Sequence, residues 1–84
     1  MTHMKLQESG ENYLETILIL EKRNGIARSV DVATELGFSK PSVSRAVSIL
    51  KEGGYVTIGN IGQLLLTDKG RQVAQNIYDR HCFI

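Results

Sequence analysis

Ser39-Lys40-Pro41-Ser42-Val43-Ser44-Arg45-Ala46-Val47-Ser48-Ile49-Leu50 reads as a helix with one buried face and one face shaped to meet an anionic surface. Ser39 is placed to cap it by accepting from the free amides of the first turn. Pro41 falls in that turn, where its missing N–H costs nothing. Val43, Ala46, Val47 and Leu50 recur at helical spacing, while Lys40, Ser42, Ser44, Arg45 and Ser48 fall round the other side. An exposed helix surface is ordinarily filled with long charged residues of both signs, which favour helix and solubility. This helix has no acid before Glu52. Small hydroxyls allow close approach and donate to phosphate oxygens or base edges, and arginine pairs in bidentate fashion with guanine. A serine-rich solvated helix is the blander reading, and the preceding segment argues against it.

Ser29 to Leu36 reads as a short helix with Ser29 as its N-cap, Asp31 in the first turn where the helix dipole favours an anion, and Val30, Ala33 and Leu36 facing inward. Gly37-Phe38-Ser39 then has the length and the glycine of a helix-turn-helix connection. Ala33 is small where the helices cross, Gly37 accommodates the positive φ of the sharp turn, and Val43 wedges between them. The segment Ser39 to Leu50 is therefore expected to be a DNA-recognition helix.

The rest of the chain sets bounds. Its 84 residues make one domain, and a chain of this size buries only roughly 60 to 65% of its unfolded surface, which disfavours a large enclosed active site. Hydrophobic content of 42% with 23% charged residues is ordinary globular composition. No apolar run is long enough to span a membrane or form a signal-peptide core, so a cytoplasmic protein with no membrane partner is expected. Cys82 is the only cysteine and has no internal partner for a disulfide, in keeping with a reducing compartment.

Net charge is +1, but it is unevenly distributed. Residues 1–21 set Lys5 against Glu8, Glu11, Glu15 and Glu21, giving −3. Residues 22–51 set Lys22, Arg23, Arg28, Lys40, Arg45 and Lys51 against Asp31 and Glu35, giving +4. Positive charge thus gathers on the helix-turn-helix, as an electrostatic footprint for a polyanion would. The excess is modest, so one copy should bind weakly and lose affinity with salt.

Outward from this centre, a first helix is expected over residues 11–23, with Ser9 or Gly10 near its start and Asn24-Gly25 at its end. Ile26 is a candidate for a short pairing edge. After the helix-turn-helix (29–52), Gly53-Gly54 stops the helical pattern, and residues 55–66 read as strand, Gly-Asn turn, strand. Thr67 caps a last helix over 68–84 with an inward stripe of Val73, Ala74, Ile77, His81 and Ile84. The expected fold is α+β and mostly helical: a winged helix-turn-helix with a β-hairpin wing and an extra C-terminal helix, as a single domain over 1–84. The wing departs from the usual pattern, having no Lys or Arg from Gly53 through Asp68.

Glu11-Asn12-Tyr13-Leu14-Glu15-Thr16-Ile17, Ser39-Lys40-Pro41-Ser42-Val43-Ser44, Leu66-Thr67-Asp68-Lys69-Gly70 and Arg80-His81 together resemble the N-terminal part of the DtxR/MntR family of metal-dependent transcriptional repressors, in the family's order over nearly the whole chain. The resemblance implies a homodimer that binds a palindromic operator in double-stranded DNA when loaded with iron(II) or manganese(II). It carries base reading to Ser39, Pro41, Ser42, Ser44 and Arg45, and phosphate contacts are expected at Arg28, Ser29, Lys40 and Ser42. It also implies metal ligation at positions corresponding to Asn12, Glu15 and His81, with Asn12 standing where the family more usually has Asp or Met. The family's remaining ligands lie in a following helical dimerisation domain, which is expected to be absent because the chain stops at Ile84.

From side-chain chemistry alone, one Glu and one His are too few for either ion. A histidine capping the core from an apolar stripe is the simpler expectation for His81, and a solvated helix position for Glu15. The apolar run Cys82-Phe83-Ile84 suggests surface continuing into a second domain or subunit. The uncharged wing and this apolar end motivate an alternative, a winged-helix module for protein contacts without metal sensing. An enzyme is not expected: His3 and His81 lie at opposite ends, no glycine-rich phosphate loop occurs, and Cys82 would point about 100° away from His81 on a helix.

Overall fold

The computed structural model describes residues 8–82, and the expectation for Ile84 on the last stripe lies outside them. Four helices and one hairpin follow in the expected order: α1 (Glu8–Asn24), α2 (Ser29–Leu36), α3 (Lys40–Glu52), β1 (Val56–Ile58), β2 (Leu64–Leu66) and α4 (Asp68–Cys82). Every element sends a side chain into one core, with Leu14, Ile17 and Leu18 from α1, Val32 from α2, Val43 and Leu50 from α3, Val56 and Leu64 from the strands, and Ala74 from α4. Each fully buried Val, Leu or Ile among them stabilises the fold by about 1.5–3 kcal/mol.

α1 is longer than its sequence pattern indicates, for Ser9 and Gly10 lie inside the helix rather than at its cap. Once nucleated, a helix gains one hydrogen bond per added residue, so modest formers are carried along. Its end falls where expected, with Gly25 at φ +83° donating its N–H to the Glu21 carbonyl at 2.8 Å. α1 and α4 run antiparallel, as the cross-links Glu15–His81 and Glu21–Arg71 require.

The start of α2 corrects the expected cap. Ser29 is the first helical residue, and the N-cap is Arg28, whose N–H donates to the Asp31 carboxylate at 3.2 Å. The acid in the first turn therefore reaches back to an orphan donor, and no hydroxyl is required. Val30 is also corrected: it is exposed, while Val32 and Ala33 are buried. Val30 lies about 200° round the helix from Val32, so centring Val32 in the core turns Val30 outward. Gly37 closes α2 at φ +72°, and both its N–H and that of Phe38 donate to the Ala33 carbonyl.

β1 and β2 pair antiparallel in the register Val56↔Leu66, Thr57↔Leu65, Ile58↔Leu64. The short edge expected at Ile26 forms one and two residues later: Leu64 N–H donates to the Ala27 carbonyl at 2.7 Å, and Arg28 bridges to Gln63. Thr67 caps α4 as expected, accepting from Gly70 N–H at 3.0 Å while its hydroxyl donates to the Gly54 carbonyl at 2.6 Å. Gly70 is buried against the Tyr55 carbonyl, so closely that a Cβ there would run into the oxygen.

Candidate nucleic-acid interface

α3 takes the shape its residues dictate. Ser39 Oγ accepts from Ser42 N–H at 3.3 Å and donates to Ser42 Oγ at 3.0 Å, so the Ser39 proton is committed to the cap while the Ser42 hydroxyl keeps its own proton to donate. Val43, Val47 and Leu50 are buried. Lys40, Pro41, Ser42, Ser44, Arg45 and Ser48 are all exposed. Phe38, in the turn, stacks obliquely on buried Tyr13 with ring centroids 6.0 Å apart, which fixes the start of α3 against α1.

The cations differ in their surroundings. Away from the α3 face four are engaged, Arg23 with Glu35 at 3.1 Å, Arg71 with Glu21 at 3.1 Å, Lys22 over the Tyr78 ring, and Lys69 over the Tyr55 ring with a 3.0 Å bond to the Gly53 carbonyl, while Arg80 near the end of α4 is exposed with no ion pair among the described residues. On the α3 face and beside it the cations are not engaged. Among the described residues no ion pair holds Lys40, Arg45 or the exposed Arg28. Ser29 is half-buried at the start of α2, where the first amides of the helix lack intrahelical partners. Arg28, Ser29 and the first turns of α3 thus present unengaged donors and positive charge suited to phosphates and base edges.

The expected metal positions are partly brought together. His81 Nδ1 lies 2.6 Å from Glu15 Oε2, joining residues 66 positions apart. This corrects two sequence expectations: the His81 side chain is 61% exposed rather than capping the core, and that of Glu15 is only 13% exposed rather than solvated. At this point of the stripe α1 presents a carboxylate to His81 and not an apolar wall. Asn12 is exposed one helical turn before Glu15. Carboxylate and imidazole suit manganese(II) or iron(II) in kind. They do not suffice in number, since no group of three His, Cys, Asp or Glu is assembled among the described residues.

Sequence reasoning missed the contribution of Arg28 to the wing's ladder and the exposure of Ile49 (61%) and Ile61 (62%). The apolar residues were visible, but which of them the core would take was not.

A helix-turn-helix, a two-stranded wing packed behind it and a free cationic recognition face define a winged-helix DNA-binding domain. No helix among the described residues is long and apolar enough to cross a membrane. Residues 5–60 match the family described as iron dependent repressor, N-terminal DNA binding domain, and the chain belongs to that family of transcriptional regulators, which are not enzymes. It is 37% identical over 73 residues to the HTH-type transcriptional regulator MntR of Geobacillus kaustophilus, covering 87% of this chain and 52% of that protein. It is 34% identical over 76 residues to MntR of Listeria monocytogenes, covering 90% and 54%. The chain thus spans about half the length of the curated relatives it matches. Among solved structures, the transcriptional regulator Tm0710 of Thermotoga maritima superposes with a TM-score of 0.64 at 27% identity, covering 81% of this chain and 51% of that one. ZitR of Lactococcus lactis superposes at 0.72 with 21% identity, covering 96% and 56%, a likeness that bears on the fold alone.

Proposed function

We propose that residues 1–84 act as one winged-helix unit, the DNA-reading part of a metal-responsive transcriptional repressor working in the cytoplasm as a homodimer. The observation that carries this reading is the clustering of exposed cations without an ion pair among the described residues, Arg28, Lys40 and Arg45, around the start of α2 and the polar face of α3. In this reading α3 enters the major groove. Arg45 reads a base, Ser39, Pro41, Ser42 and Ser44 shape and line the close approach, and Arg28, Ser29, Lys40 and Ser42 hold phosphates.

Fluorescence-anisotropy titration against a selected duplex tests it. Arg45→Ala should cost about 1–3 kcal/mol and relax preference at one base position, whereas Lys40→Ala should weaken all sequences alike and lower the salt slope by about 1. An equal loss for Arg45→Ala on every duplex refutes base reading by that side chain. No binding at low salt refutes the DNA reading and favours a protein-contact module, for which the uncharged wing with exposed Ile58, Ile61 and Leu65 is the supporting feature.

Glu15, His81 and Asn12 are proposed as this domain's share of a manganese(II) or iron(II) site, completed by water or by groups outside the described residues. The convergence of Glu15 and His81 across α1 and α4 supports it. Calorimetric titration of Mn²⁺ checks it: binding that His81→Ala leaves unchanged removes His81 from the site.

A further inference from the structure

We infer that the wing docks in the minor groove beside the recognition helix by apolar contact, with Ile61 as the side chain that meets the DNA and Arg28 as the phosphate clamp beside its tip. This inference rests on the DNA-binding reading above. The hairpin from Gly53 through Thr67 carries no charge of either sign. Ile61, at the turn, is 62% exposed, and the register sets Ile58 (43%) and Leu65 (41%) on opposite faces of the two three-residue strands, so the most exposed aliphatic of the wing is at its tip.

The turn that carries Ile61 is closed from within. Gly59 N–H donates to the Gln63 carbonyl at 2.8 Å, Gly62 N–H to the Gly59 carbonyl at 3.1 Å, and Ile61 N–H to Gln63 Oε1 at 3.0 Å. With its amide bonded to Gln63, Ile61 is held at the tip and offers only its side chain. Gln63 is also the residue that Arg28 faces across the ladder, so a cation without an ion-pair partner among the described residues stands beside the turn end of the wing. Arg28 immediately precedes α2 and belongs to the phosphate-facing edge already described, which makes the wing tip continuous with that interface.

An uncharged, rigid, aliphatic tip next to one cation is poorly suited to electrostatic tracking of the backbone. It is suited to packing against deoxyribose walls and wedging at a base step, which opens the minor groove there. The work of opening is least at flexible pyrimidine–purine steps and greatest in stiff A-tracts. The wing should therefore favour a TA step over an A-tract where it lands, without a hydrogen bond to any base.

The test uses the full chain. A duplex is selected from a random pool, its flanks are remade with a TA step or an A-tract, and each is examined by anisotropy and by hydroxyl-radical cleavage, which reports sugars along the minor groove. The wild type should prefer the TA flank by about tenfold and protect the flanking minor groove. Ile61→Ser, at a tip position 62% exposed and with its circular dichroism compared with the wild type's, should lose both while keeping its sensitivity to Arg45→Ala. A wild type without flank protection, or an Ile61→Ser variant that keeps the preference, overturns the inference and leaves the recognition-helix reading standing. A wild type that binds no duplex at low salt overturns both and assigns the apolar tip to a protein partner.

Discussion

The recognition helix and the wing are neighbours in sequence and opposites in construction. α3 makes its own start, with Ser39 and Ser42 exchanging hydrogen bonds three residues apart, and presents a polar face in which Lys40 and Arg45 have no ion-pair partner among the described residues. The wing is uncharged, and its strands are three residues each, too short to persist alone. It is held from outside: by the Ala27 carbonyl and Arg28 on one edge, by Thr67 bonding Gly54, and by Gly70 packed under the Tyr55 carbonyl. One element that reads DNA in this proposal organises itself, while the other is placed by distant parts of the chain.

The hardest blow to that contrast falls at Gly70. Gly70→Ala would drive a Cβ into the backbone oxygen of Tyr55, which cannot swing aside as a side chain would. Expected is a loss of about 3 kcal/mol, at the upper end of overpacking costs, measured by urea unfolding. An unchanged midpoint would mean that α4 does not hold the wing. A finer comparison sets the two caps against each other. Thr67→Ala removes both the bond from Gly70 N–H and the one to the Gly54 carbonyl, and should cost about 2 kcal/mol, against about 1 kcal/mol for Ser39→Ala. The reverse order in thermal unfolding would show α3 to be the more dependent element.

The smallest effect concerns the link between α1 and α2 that supports the helix-turn-helix. The hydrogen bond from Arg23, and then its charge, hold the Glu35 carboxyl below the usual carboxylate value, and Arg23 is correspondingly raised. A depressed carboxylate contributes stability that is present above its unfolded pKa, about 4.3, and lost as pH falls through the folded value. Both side chains are exposed, so the slope is slight. Glu35→Gln should flatten it in melting curves taken from about pH 7 to about pH 3, and a slope unchanged in the variant assigns the acid sensitivity to another group.

What could be read without tertiary structure lay within a few residues of itself. The Ser39 cap, the positive φ at Gly37, the Thr67 cap, the α3 stripe of Val43, Val47 and Leu50, and the hairpin around Gly59-Asn60 are local signals, and they are present. The misreadings share a different cause. Ser29 looked like a cap because its hydroxyl is the commoner choice, and Asp31 took the role by reaching back to Arg28. Val30 looked buried because it is aliphatic, yet an eight-residue helix has room for only one inward stripe, and Val32 claimed it. His81 looked like a core cap because it follows Ile77 by four residues, but α1 presents Glu15 at that point.

The sequence by itself determined the elements, their order, the cationic character of α3 and the uncharged character of the wing, since caps, periodicity and charge act over one or two turns of chain. Only the tertiary structure decided that Arg28 stands on the wing's ladder, that Glu15 and His81 meet, and which aliphatics are left wet at Ile49 and Ile61. Those outcomes depend on how α1, α4 and the hairpin share one core too small to take every apolar side chain, and that competition among packing surfaces has no local signature.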